Sequence, residues 1–270
     1  MINPLQKVKN TFQFHYYRRK NNWEFPENMA HTSGARVADG TYEPDLTNQV
    51  IDKIHEDALV LDVGANVGYY SRLFAEAVKE RGKVIAFEAE RENYCCLCKN
   101  TAGYRQVVPV AMAVSDKNAI SELHLSSHSS CHSILNTGNY QSRSVVKAPS
   151  VKLDSFWELY LDKAPVDCVK IDVEGAEILV LDGMFEMLKQ EAVKLIIVEF
   201  CPQIMINSGL EPIQLYDRIF AGFSIKIIES EYRNMVESGT IRNAEQFTEL
   251  QNYLLDSSSF VNCNLLCERV

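Results

Sequence analysis

Polar and apolar positions change rhythm along this chain, and the changes mark its elements. Over residues 1–40 no period of 2 or 3.6 persists, although aromatics are dense (Phe12, Phe14, Tyr16, Tyr17, Trp23, Phe25). That pattern predicts irregular structure or short helices packed on a main domain. From residue 48 onward, short apolar runs alternate with amphipathic ones, as in a mostly parallel sheet covered on both faces. Strands are predicted at 58–63, 83–87, 107–114, 166–172, 194–199, 223–228 and 264–268. Helices are predicted from residue 69 to near Gly82, over 91–102 with Gly103 just past the end, mostly over 174–187, after Pro212, and to about residue 254. Asp154 reads as the N-cap of a short helix to residue 161, and Asn243 with Gln246 forms a capping box. Residues 119–150, rich in Ser and His, break the alternation and read as an inserted hairpin or loop above the sheet edge. The division is therefore an arm or lid over 1–47 and one α/β domain over 48–270.

Composition narrows this picture. With 46% hydrophobic and 23% charged residues in 270, the chain is globular, and intrinsic disorder is excluded. No apolar run approaches the roughly 18 residues of a spanning helix. The first residues lack the apolar block of a secretory signal. Eight cysteines in a chain this long read as reduced thiols of a cytoplasmic protein. A net charge of −9 argues against a nucleic-acid partner. Residues 1–40 nevertheless carry six basic residues against three acidic ones. They read either as a solvated surface segment or as an arm over an anionic or lipid-linked acceptor, with peripheral membrane contact.

The chemistry concentrates at strand ends. The first strand runs into Gly64-Ala65-Asn66-Val67-Gly68 and then a helix, so backbone can approach a ligand closely and free N–H groups face it. Asn66 stands where a dinucleotide fingerprint needs its middle glycine, which weakens the case for a pyrophosphate. Asp62, just before the loop, suits a ligand carrying an ammonium group. Glu88 ends the second strand and is placed to accept hydrogen bonds from ribose hydroxyls. Together these imply a nucleoside-containing cofactor. Lys170-Ile171-Asp172-Val173-Glu174-Gly175-Ala176-Glu177 is the second cluster. Period 2 sets Lys170 and Asp172 on one face, and a strand order that reverses between the first and fourth strands brings Asp172 beside the glycine loop. Glu177 reads more simply as an acid stabilising a helix start. Glu199 ends the fifth strand in the same layer.

These residues resemble a family. The stretch from Leu61 to Tyr70, Phe87-Glu88, Ala113-Val114-Ser115-Asp116, the Lys170-to-Glu177 block and Val198-Glu199 look like the FkbM-type methyltransferases, as do Tyr42-Glu43-Pro44 and Asn264-Leu265-Leu266. The resemblance implies a class I methyltransferase, a Rossmann-like three-layer sandwich on a mostly parallel seven-stranded sheet with an antiparallel last strand. It implies S-adenosylmethionine as cofactor and methyl transfer to a hydroxyl of a sugar, glycolipid or natural product. Its cofactor set here is Glu43, Asp62, Gly64, Ala65, Asn66, Gly68, Glu88, Ala89, Ala113, Val114 and Ser115, with Asp172, Glu174 and Glu199 as the catalytic candidates. Ala89 departs from the family, which often has proline there. A nicotinamide oxidoreductase and a methyltransferase-like domain without turnover are the rival readings.

Weaker constellations remain. Cys95 and Cys98 have CxxC spacing on a helix, where they read as packing residues rather than a metal or redox pair. His124, His128 and His132 recur every four residues, but flanking serines favour a loop over a ligand-bearing helix. One of them as general base is an open alternative. The acids near Asp172 also have the chemistry for Mg²⁺, although no metal is expected.

Overall fold

Strands occupy the centre of the fold and helices cover both of their faces. The computed structural model describes residues 4–138, 142–233, 239–256 and 261–270. The first three residues, positions 139–141 of the expected insert, and the side chains of Lys7 and Lys9 in the basic arm lie outside that description.

The strands are β1 (Leu59–Val63), β2 (Lys83–Phe87), β3 (Val107–Val110), β4 (Ala113–Val114), β5 (Ala119–Ser126), β6 (Ser142–Val151), β7 (Val166–Ile171), β8 (Val193–Phe200), β9 (Phe223–Ile227), β10 (Thr240–Ile241) and β11 (Cys263–Arg269). Helices α1 (Pro4–Lys20), α2 (His31–Asp39) and α3 (Pro44–Ile51) precede the sheet. Between strands run α4 (Tyr69–Val78), α5 (Arg91–Thr101), α6 (Leu153–Tyr160), α7 (Glu177–Gly183), α8 (Phe185–Lys189), α9 (Pro202–Asn207), α10 (Ile213–Ile219), α11 (Ser230–Arg233) and α12 (Ala244–Leu255).

The main sheet has the order β10-β9-β11-β8-β7-β1-β2-β3. Seven of these strands answer to the predicted seven, with the two-residue β10 added at one edge. β1 pairs in parallel with both β2 and β7, while β11 runs antiparallel between β8 and β9. The predicted strand over 107–114 is two. After β3, the Met112 N–H bonds back to the Val110 carbonyl and turns the chain out of the sheet. β4 then pairs with β6, and β5 pairs antiparallel with β6, making a second, three-stranded sheet. The insert is thus a hairpin that carries its own sheet.

Alternation along the parallel strands sorts the core into two clusters. Leu61, Val63, Phe87, Val169 and Ile171 pack with α6, α7, α10 and α12 on one face. Val60, Val84, Ala86 and Cys168 pack with α3, α4 and the arm on the other. The arm differs from expectation. Residues 4–20 form one long helix, although the segment has no apolar stripe. Phe14, Trp23, Phe25 and Met29 are buried in the same cluster as Phe74 and Val60, and the Phe14 ring stacks on His31 at 4.8 Å. Tertiary packing, not helical periodicity, sets this segment. Asp154 also departs from its predicted role. It lies inside α6 and accepts from the N–H groups of Glu186 and Met187, both at 3.0 Å, so it caps α8. Asn243 does cap α12, accepting from the Gln246 N–H at 2.9 Å.

Candidate active site

Strand order reverses between β1 and β7, and a cavity of about 280 Å³ opens at the ends of these strands. Its floor is the glycine loop and the residues that end β2, β7 and β8. Its walls come from α2, from 112–114, and from residues 129–134 at the end of the β5–β6 hairpin.

The glycine loop is pinned to β2. Gly64 and Ala65 donate N–H to the Phe87 carbonyl at 3.1 and 2.9 Å, and Asn66 donates N–H to Glu88 Oε2 at 2.9 Å. Gly64 has φ 82°, and a Cβ there would lie 1.8 Å from the Asp172 carbonyl oxygen. Only glycine lets β1 and β7 close up at this point. Gly68 has φ 90° and abuts Leu97 of α5, starting α4 from behind the loop rather than lining the cavity.

Asp62 lies opposite Lys170 in the β1–β7 register and is fully buried. Its Oδ2 accepts from the Ser71 hydroxyl at 2.6 Å, and its carboxyl is held above the usual range by burial, against the pull of Lys170. Glu88 accepts from the Glu90 N–H at 2.7 Å through Oε1, and burial pushes its carboxyl up to about 7. Three buried side-chain oxygens have no hydrogen-bond partner among the described residues: Asp62 Oδ1, Asn66 Oδ1 and Asn93 Oδ1. All three residues line this one cavity. Unpartnered acceptors of this kind are costly, so their convergence marks a ligand rich in donors. An ammonium, ribose hydroxyls and an exocyclic amine fit that description, and S-adenosylmethionine carries all of them.

A second group of acids lines the cavity. Asp172, Glu174 and Glu199 each bring a carboxylate oxygen within 4.8 Å of the others, a donor set with the chemistry for a cation. Lys170 Nζ lies 2.8 Å from Asp172 Oδ2 and 4.6 Å from the Tyr70 ring centre. Burial alone would lower the Lys170 ammonium, but Asp172, Asp62 and Glu43 reverse this and hold it above its ordinary value. Glu174 and Glu199 are held well above the usual carboxylate range, first by burial and then by the neighbouring Asp172. Glu199 also accepts from Asn262 Nδ2. Glu43, at φ 42°, accepts from the Tyr70 hydroxyl at 2.7 Å and joins this group. Glu177 stays out of the cavity and accepts from the N–H groups of Val173 and Gly175, holding the loop before α7.

Ala89, Ala113 and Val114 line the cavity, but Ser115 does not. Its hydroxyl donates to Asp116 and its N–H to Val151, so it fastens β4 to β6. The three histidines do not align. His124 sits on β5, His128 is exposed, and His132 lines the cavity. His132 Nδ1 accepts from the Ser126 N–H at 2.9 Å, so in the neutral ring Nε2 carries the proton, and that tautomer offers a donor rather than a base. Cys95 is exposed, Cys98 half-buried and Cys96 buried, all as free thiols. Asn93 and Asn262 escaped the sequence reading, since neither belongs to a motif and both act across long separations.

A switch-point cleft with an acid before its glycine loop and a second acid ending the next strand defines a class I S-adenosylmethionine-dependent methyltransferase. Residues 62–250 match the methyltransferase FkbM domain, and the chain belongs to that family. The hexuronic acid methyltransferase AglP of Haloferax volcanii is 25% identical over 178 residues, 66% of this chain and 67% of that protein. The solved FkbM methyltransferase of Methylobacillus flagellatus KT is 12% identical with a TM-score of 0.46, covering 97% of this chain and 60% of its own. Aeropyrum pernix fibrillarin with natively bound S-adenosyl-L-methionine is 10% identical with a TM-score of 0.43, covering 80% of this chain and 68% of its own. No described helix is long and apolar enough to cross a membrane.

Proposed function

We propose that this methyltransferase acts on a hydroxyl of a sugar-like acceptor, carried free, on a lipid or on a natural product. The observation that carries the reading is the acidic cluster of Asp172, Glu174 and Glu199, lining the same cavity as the unpartnered acceptors. A relative named for a hexuronic acid supports a glycan-like acceptor. S-adenosylmethionine supplies an activated methyl group on a sulfonium. In this reading Asp62 Oδ1 takes the ammonium of its amino-acid end, with Glu43 nearby. Glu88 takes the ribose hydroxyls, Gly64 to Asn66 form the cradle, and Ala89, Ala113 and Val114 flank the base. Gly68 and Ser115 act only by holding these elements in place.

Methyl transfer to a neutral oxygen leaves a proton to be removed, and the enzyme's main work is alignment. Asp172 receives that proton, while Lys170 holds its Oδ2 and fixes the carboxylate's orientation. Glu174 and Glu199, whose affinity for protons is raised by burial and by the neighbouring Asp172, hold the acceptor through hydrogen bonds. The hairpin tip and α2 wall the cavity.

The test is calorimetric titration with S-adenosylhomocysteine and NADH, followed by methyl transfer from labelled S-adenosylmethionine to a panel of sugars and glycolipids. Binding of S-adenosylhomocysteine alone, with label on a hydroxyl, is expected. Label on a nitrogen or a carbon only, or binding of NADH alone, overturns the reading.

A further inference from the structure

We infer that Asn93 is a ligand to the nucleoside end of the cofactor and, through the same amide, ties the bound cofactor to the wall of the acceptor cavity. The inference rests on the cofactor reading of this cavity.

Asn93 is the third residue of α5, where the Glu90 side chain accepts its backbone N–H at 2.7 Å, and it is 2% exposed. Its Nδ2 donates to the Ser129 carbonyl at 2.7 Å. That bond fixes the amide, because turning it over would set Oδ1 against the Ser129 oxygen. Oδ1 is then left buried with no partner, in a residue that lines the cavity beside Glu88 and Ala89. An acceptor in that position is satisfied by a donor on the ligand. The nucleoside carries two kinds, ribose hydroxyls and the exocyclic amine.

The other end of the amide reaches the hairpin tip. Ser129 Oγ also contacts Met29 Sδ at 3.6 Å, and Ser133 Oγ reaches the Val173 carbonyl at 3.4 Å. The tip is thereby tied to α5, to the arm and to the acid loop, and it forms part of the cavity that the acceptor enters. Filling Oδ1 polarises the amide and strengthens its bond to Ser129. The cofactor therefore orders the tip, and the acceptor binds second.

Wild-type protein and Asn93→Leu are compared by calorimetry with S-adenosylhomocysteine, and by hydrogen exchange of the peptides spanning 127–134 with and without it. Asn93→Leu is expected to bind about tenfold more weakly. S-adenosylhomocysteine is expected to slow exchange over 127–134 in the wild type and not in the variant. Analogues lacking the 2′-hydroxyl, the 3′-hydroxyl or the exocyclic amine identify the donor, since the loss that hurts the wild type but not Asn93→Leu names it. Equal affinity of the two proteins, or unchanged exchange over 127–134 in the wild type, overturns the inference. The exchange arm needs no variant and so holds even where Asn93→Leu fails to fold. A wild type that does not bind S-adenosylhomocysteine brings down the cofactor reading itself, a distinguishable failure.

Discussion

The ribose role proposed for Glu88 makes cofactor binding depend on pH, and the size of the effect follows from its setting. Its carboxyl is buried at the end of β2, and burial pushes it up to about 7 against the backbone N–H groups of Glu90, Asn66 and Ala89, which favour the charged form. Ribose hydroxyls donate best to the ionised carboxylate, so binding below that value requires loss of a proton. The sign follows directly: affinity rises as pH rises to about 7 and levels off above it. Each pH unit below costs at most about tenfold, or 1.4 kcal/mol, so affinity at pH 5 is about 100-fold weaker than at pH 8. Asp62, also held upward by burial, adds to the same trend. Glu88→Gln removes the charge-assisted bonds and weakens binding at pH 8 by about 1.5–3 kcal/mol. It also flattens the dependence on pH. The assay is calorimetry with S-adenosylhomocysteine from pH 5 to 8, repeated at pH 6 in buffers of different ionisation heat. The wild type should release nearly one proton at pH 6, and Glu88→Gln much less. An affinity flat across this range in the wild type, or an undiminished slope in the variant, would falsify the ribose role of Glu88.

Other expectations test the acidic cluster and the arm. Asp172→Asn keeps S-adenosylhomocysteine affinity within about tenfold while cutting kcat by about 10²–10⁴-fold; steady-state kinetics with full turnover would remove Asp172 as the proton acceptor. Dialysis against EDTA leaves turnover unchanged, because the Lys170 ammonium already sits 2.8 Å from Asp172 and opposes a second cation there. Loss of activity restored by Mg²⁺ would reverse that conclusion. Trp23→Ala costs about 3–5 kcal/mol in urea denaturation. The ring is 6% exposed and lies under Arg72 at 4.2 Å, so a loss below about 1 kcal/mol would mean that the arm is not part of the core.

What could be read from sequence was local. Asp62, the glycine loop and Glu88 announce themselves because a strand, a tight loop and a helix start each leave a short-range signature, and the loop needs glycine at Gly64 for a steric reason. Lys170 and Asp172 could be set on one face by counting in twos. The remaining features depend on contacts between distant positions. Helix α1 has no stripe to betray it, and its Phe14 is buried only because Phe25 and His31 come to meet it. Asp154 looked like a cap for its own helix, yet α8 has no cap of its own and approaches closely enough to take both carboxylate oxygens. The bonds from Tyr70 to Glu43 and from Asn262 to Glu199 span 27 and 63 residues, beyond any periodicity.

The charges around the cavity also bear on what enters it. Asp62, Glu43, Asp172, Glu174 and Glu199 line the same cavity, with Lys170 as their cationic partner within it. Such an arrangement is unfavourable when every acid is ionised, and the proton affinities of Glu43, Glu174 and Glu199 are raised first by burial and then by the neighbouring Asp172. A cationic ligand relieves the repulsion at the Asp62 end. At the Asp172 end, an anionic reacting group would add to it, since Lys170 is already committed to Asp172. A neutral hydroxyl, by contrast, adds no charge there. If the acceptor carries a carboxylate, as a uronic acid does, that group is expected to lie away from the acids while the hydroxyl faces them. On the proposed reading, the acceptor therefore enters by its uncharged edge.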